Sequence, residues 1–206
     1  MTDTIDPAAF MDHLQSRRSI RRYRPAPVSR QTLEQLLTAA MWAPSAHNRQ
    51  PWRFAVITLA ETKDRLARAM GRRLRHDLSQ DQVPPAIIEK DVNRSYQRIT
   101  SAPALILISL TMADMDRYPD PARQRSERIM AVQSTAMAGQ NLLLAAHTAG
   151  LGACWMCAPL FCPDVVRQTL DLPQDWEPQG LITLGYPAQE KTKARQPLST
   201  RVRFID

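Results

Sequence analysis

Trp42-Ala43-Pro44-Ser45-Ala46-His47-Asn48-Arg49-Gln50-Pro51-Trp52 stands between two stretches of opposite periodicity. Before it, Leu33, Leu36, Leu37 and Ala40 recur at helical spacing between Ser29, a good cap, and Met41. After it, Phe54 to Leu59 is an apolar run that reads as a buried strand. Two prolines remove backbone donors and fix φ, so the turn continues neither neighbour. Ser45, Asn48 and Gln50 offer hydrogen bonds between flanking tryptophans, an arrangement suited to the edge of a flat ligand. The same residues also read as a plain helix-to-strand connector.

Upstream, Asp6 caps a helix predicted through about Gln15, with Phe10, Met11 and Leu14 on one face. It runs into Arg17-Arg18-Ser19-Ile20-Arg21-Arg22-Tyr23-Arg24. Arginines so crowded repel unless something anionic neutralises them, and guanidinium and serine hydroxyl both suit a phosphate. A solvated basic loop is the other reading.

Downstream, helices are predicted over 61–78 and 86–100, and a strand buried on both faces over Pro103 to Leu110. Residues 111–125 have no periodicity and read as a lid over a pocket. Ser126 to Ala149 is a helix with little polar surface and many small residues, stopped by Gly150. A short helix is predicted over 164–172, and Gln179 to Tyr186 is another strand. In the arm, residues 187–206, Arg201 to Ile205 alternate like an edge strand and suit packing on another subunit.

The chain has 206 residues, enough for one domain with a real core, and carries 27 basic against 20 acidic side chains. The excess is scattered without a nucleic-acid motif, so a pocket for small anions accounts for it and no nucleic acid is expected. No apolar run suits a membrane and no signal pattern is evident, which predicts a cytoplasmic protein. Three cysteines argue against a disulfide framework. Cys154 and Cys157 form a C-x-x-C, but zinc needs four ligands and only Cys162 and His147 lie nearby in sequence. A redox pair would open a helix, where Pro159 intervenes. They read as core or pocket-wall residues, and no metal is expected.

Four features in order carry a resemblance: Arg17-Arg18-Ser19-Ile20-Arg21; Ala43 to Trp52; Gly150-Leu151-Gly152-Ala153-Cys154-Trp155; and Gly185-Tyr186-Pro187 followed by Lys193-Ala194-Arg195-Gln196-Pro197. Together they resemble the FMN-dependent nitroreductase superfamily from Phe10 to Pro197. The resemblance implies one α+β domain over 1–206 with a mixed central β-sheet wrapped by helices. It also implies an intertwined homodimer with FMN at the subunit interface. On the matching positions, Arg17, Ser19 and Arg21 would hold the FMN phosphate and the polar edge of the ring. Arg18 would assist through its backbone or as a second cation, and Lys193 and Arg195 would meet the phosphate. Pro44, Ser45 and Asn48 would touch flavin held mainly by the other subunit. Cys157 and Ala158, where many members carry glycine, would turn backbone amides toward the hydride-accepting position, and Arg98 would be a cation near the flavin. FMN carries the redox chemistry, so no catalytic side chain is required.

Tyr118-Pro119-Asp120, Gln140 to Ala146, and Phe161 to Pro178 resemble one branch, the reductase domain associated with biosynthesis of the deazaflavin coenzyme F-420. That branch reduces a dehydro precursor of the coenzyme. The resemblance implies Tyr118, Arg123 and Arg125 as substrate-binding residues, with Arg72 and Arg73 nearby, and a deazaflavin coenzyme as ligand. The alternatives are a broad NAD(P)H-dependent reductase of nitroaromatics or quinones, and a flavin or deazaflavin carrier without turnover. A flavin-fragmenting member type has no positive motif here.

Overall fold

The computed structural model describes residues 6–205. Helices α1 (Pro7–Ser16) and α2 (Arg30–Met41) precede strand β1 (Trp52–Ile57); α3 (Ala60–Gln80) and α4 (Pro85–Thr100) precede β2 (Ala104–Leu110). There follow α5 (Pro121–Thr148), β3 (Gly152–Met156), α6 (Pro163–Leu170) and β4 (Glu177–Gly185). The strands form one sheet in the order β1-β2-β4-β3.

Side-chain alternation in β2 sorts the helices into two layers. Ala104, Ile106 and Ile108 pack with α2 and α5, whereas Leu105 and Leu107 pack with α3, α4 and α6. β4 divides in the same way, Ile182 and Leu184 against Leu181. With a helical layer on each face, neither central strand needs a polar side, which explains the continuous apolar run at 104–110.

The sheet differs from the expected mixed one. Every ladder between the named strands is antiparallel, and the parallel element is an isolated Ser19–Ala153 bridge on the outer edge of β3. Arg201 to Ile205, predicted as an edge strand, is not a strand in the described chain. Leu198, Phe204 and Ile205 are instead exposed, because an edge strand needs an edge to pair with. The 111–125 loop is shorter than expected. Asp120 accepts from Arg123 N at 2.9 Å and Pro121 takes the first helical position, so α5 begins there.

That loop is tied down. Thr111 Oγ1 donates to Asp175 Oδ2 (2.6 Å), Asp116 N donates to the buried Glu127 Oε1 (3.1 Å), and Arg49 and Arg53 pair with Asp116 and Asp114.

Trp155 of β3 lies between Gly139 of α5 and Gly180 of β4. A β-carbon on either glycine would come within 3.0 Å of the indole, so these positions admit only glycine without movement. No helix of the described residues is long and apolar enough to cross a membrane.

Candidate cofactor site

Residues 17–24 leave the end of α1 and run beside β3. Ile20 N donates to Ala153 O (3.1 Å), and Arg24 N donates to Tyr186 O (2.8 Å). Tyr23 is the peg between them. Its hydroxyl lies 2.6 Å from Ile20 O, 3.0 Å from Thr183 O and 2.7 Å from Thr183 Oγ1, and burial raises its pKa above the ordinary phenol value. Two basic sites result, one on each side of β3.

The first is a cleft of about 500 Å³ bounded by Arg17, Arg18, His147, Gly152, Gln189 and Lys191. Burial, Arg195 and Arg18 together hold the Arg17 guanidinium below its usual pKa, so a cation from the far end of the chain acts on Arg17 within one protomer. None of the three pairs with a carboxylate among the described residues, whereas Arg30, Arg68, Arg73 and Arg75 all do. Arg18 turns its guanidinium onto Gln15 O and Arg17 O, and its Nε is buried without an acceptor. Gln189 Nε2 is buried and unpartnered in the same cleft. Two orphaned donors beside arginines without carboxylate partners suit an anion.

The second site, about 340 Å³, brings Arg21, Arg94 and Arg98 to Cys154, Cys157 and Ala158. Burial, then Arg21 and Arg94, lower the Arg98 pKa. Cys157 and Ala158 open a short 3-10 turn at the end of β3, and Cys157 is exposed where Cys154 is buried. No group of metal-ligating residues occurs among the described residues.

Not every expected residue joins these sites. Lys193 is exposed, and Lys191 and Thr192 line the cleft in its stead. Ser19 lies beside Arg17 through its backbone bridge to Ala153. Pro44, Ser45 and Asn48 line neither site, and they lie far from the first. Ala46 N bonds Ser134 Oγ on α5 (3.2 Å), whereas α1 meets α5 at His147, roughly 20 Å along the helix. Their turn is shaped nonetheless: His47, Asn48 and Gln50 have φ of 50, 54 and 50°, and Ser45 Oγ accepts from Gln50 N (3.1 Å). Of the substrate candidates, Tyr118 lines a separate cavity, and Arg123 pairs with Asp120 and covers the Tyr118 ring at 5.1 Å. Arg125 is exposed on α5, and Arg73 is neutralised by Asp77 and Asp164. Sequence reasoning missed Gln189 and His147, which carry no motif. The signal for Gln189 was its position just after Gly185-Tyr186-Pro187.

His147 stacks on His13 with ring centroids 4.6 Å apart. Ser16 Oγ donates to His13 O (3.1 Å), which leaves its oxygen to accept a hydrogen bond from His147 Nε2 (2.9 Å). Burial, His13, Arg17 and Arg18 lower the His147 pKa below 6.5. The unfolded chain therefore protonates first on acidification. The stability held in the neutral ring is present above pH 6.5 and lost as pH falls toward the depressed folded value. His147→Gln is expected to flatten that slope, measured as Tm of the protein from pH 7.5 to 5.

Among known proteins, the chain is 32% identical over 198 residues to an NADH dehydrogenase of Thermus thermophilus, covering 84% of each chain. A Desulfovibrio desulfuricans protein described as a nitroreductase, solved in complex with FMN, is 27% identical with a TM-score of 0.74, over 98% of this chain and 99% of that one. A BluB-like flavoprotein of Clostridium difficile shares the fold, with a TM-score of 0.80 at 20% identity over 98% of this chain and 100% of that one. Residues 14–186 match the nitroreductase family, and the chain is an oxidoreductase of that family.

Proposed function

We propose that the protein binds FMN, works as a homodimer in the cytoplasm and takes electrons from NAD(P)H to reduce a small conjugated acceptor. The observation that carries this is the pair of orphaned donors, Arg18 Nε and Gln189 Nε2, buried in a cleft where Arg17 and Arg18 pair with no carboxylate among the described residues, Glu190 of the lining included. That cleft suits the phosphate. The Arg21–Arg98 site on the other side of β3 suits the electron-rich end of the ring, with the backbone amides of Cys157 and Ala158 near its reactive position. Acceptance and delivery of hydride belong to the cofactor. The chain's part is to hold the phosphate, orient the ring and supply positive charge against its reduced form.

Dimerisation is supported by the exposed apolar stripe Ile129, Val132 and Met137 on α5, and by the exposed arm at Leu198, Phe204 and Ile205. It would also give Pro44, Ser45 and Asn48 a cofactor to touch, on the partner subunit. We assign residues 187–206 to packing across that interface, with Lys193 reaching the phosphate only there. The 111–120 loop covers a pocket that donor and acceptor enter in turn.

For the acceptor we propose the dehydro precursor of a deazaflavin coenzyme, on the branch motifs at Tyr118–Asp120 and 161–178. Arg125, free of a carboxylate partner among the described residues, is the cation left for its acidic groups, since Arg123 is engaged by Asp120. The test is a visible spectrum of the purified protein with FMN, followed by anaerobic NADPH and then candidate acceptors. We expect a flavin band bleached by NADPH and restored by the dehydro precursor. Restoration only by nitroaromatics or quinones would replace the acceptor, and bleaching by no donor would leave a carrier. A chain that binds no flavin ends the proposal.

A further inference from the structure

A cavity of about 760 Å³ belongs to neither basic site. It lies under the 111–118 loop, between α5, α6 and the start of β4. We infer that it receives the adenylate half of the reduced nicotinamide donor, an inference that rests on the flavoenzyme reading above.

Its volume is within the range of organic-ligand pockets, and its chemistry is specific. Gln179 is buried and spends its Nε2 on the carbonyls of Glu177 (3.2 Å) and Pro178 (3.5 Å). Its carboxamide oxygen keeps no donor among the described residues. Gln124 is used the opposite way. Its Oε1 accepts from Tyr118 N (2.9 Å), leaving its Nε2 without an acceptor among the described residues. One acceptor and one donor are what the edge of a purine requires. The Tyr118 ring adds an aromatic wall, with Arg123 on one of its faces.

The polar end of the cavity suits ribose and phosphate. Asp175 accepts from Thr111 through Oδ2, leaving Oδ1 for a sugar hydroxyl. Three arginines line the cavity against two carboxylates. Arg128 is spent on Glu177, whereas Arg117 has no carboxylate partner and Arg167 holds only Gln174 O (2.9 Å). Those two are left for phosphate oxygens.

Location selects a dinucleotide over a free nucleotide. Ala158 lines the Arg21–Arg98 site and Leu160 lines this cavity, so two residues of one 3-10 turn, roughly 4 Å of rise, separate them. A nicotinamide lying over the ring at Cys157–Ala158 would send its other half around that turn. The ties on the loop, Thr111–Asp175 and Asp116–Glu127, keep the cavity formed beforehand.

The experiment compares NADPH with reduced nicotinamide mononucleotide, which lacks the adenylate, as donors to the FMN-loaded protein. Arg117→Ala, an exposed change that does not threaten folding, and Gln179→Leu are each expected to lower kcat/KM for NADPH relative to the mononucleotide by about tenfold. An unchanged ratio in both variants overturns the inference. Calorimetry with ADP provides a readout without turnover: saturable binding to the wild-type chain, weakened in Arg117→Ala, supports the site, and no binding overturns it. Bleaching by the mononucleotide judges the flavoenzyme reading separately, so the two can fail independently.

Discussion

Arg17→Ala combined with Arg195→Ala should release FMN while leaving the apoprotein at least as stable as before. Each guanidinium is assigned a charge-assisted contact to phosphate, a class of interaction that contributes about 1.5–3 kcal/mol. Losing both predicts FMN affinity lower by roughly 100-fold or more. The sign on the apoprotein follows from like-charge crowding. Burial, Arg195 and Arg18 already disfavour the charged form of Arg17, so removing two of three cations relieves repulsion. Flavin fluorescence titration and thermal melting of the FMN-free protein give the two numbers. A structural role for these arginines would lower the apo Tm, whereas an anchoring role lowers only the affinity. Unchanged affinity would show the phosphate lies elsewhere.

Gly180→Ala should be the most damaging single methyl group in the sheet. The added carbon would fall within 3.0 Å of the Trp155 indole, which Gly139 of α5 confines from the other side. A small side chain gained by overpacking costs typically about 1–3 kcal/mol. Gly139→Ala tests the same contact from the helix, where the sign is a contest. Alanine gains about 1 kcal/mol in helix propensity, but its β-carbon would lie 2.2 Å from the Trp155 ring, so the clash should win. Chemical unfolding of both variants, alone and with Trp155→Leu, forms a double-mutant cycle. The cost of each alanine should shrink markedly once the indole is gone. Full cost retained with Trp155→Leu would mean that the backbone, not the indole, demands glycine. Because β3 leads directly into Cys157 and Ala158, these variants should also weaken cofactor binding.

Several expectations from the primary structure are matched closely. Asp6 and Ser29 cap their helices, α2 buries Leu33, Leu36 and Ala40, and β2 occupies the apolar run almost residue for residue. Arg17 and Arg195, far apart in the chain, share one electrostatic environment. The errors fall where context decides. The loop after β2, expected to run to Arg125 for want of periodicity, ends at Asp120, because proline at the first turn of a helix is an initiator once Asp120 caps it. Arg123, a substrate candidate by resemblance, pairs with Asp120, a neighbour whose engagement no periodicity reveals.

Local chemistry and periodicity, readable along the chain, were enough for the elements, the two-sided sheet and the identity of the basic segments. They suffice because helix caps, apolar spacing and charge crowding act between residues close in sequence or repeated along it. Only the three-dimensional arrangement decided which cations remain without a carboxylate, which donors at Arg18 and Gln189 are left orphaned, and that a glutamine-lined cavity lies one turn from Cys157. Those properties depend on which distant side chains fold back to neutralise or cover a group, and nothing local in the chain encodes that.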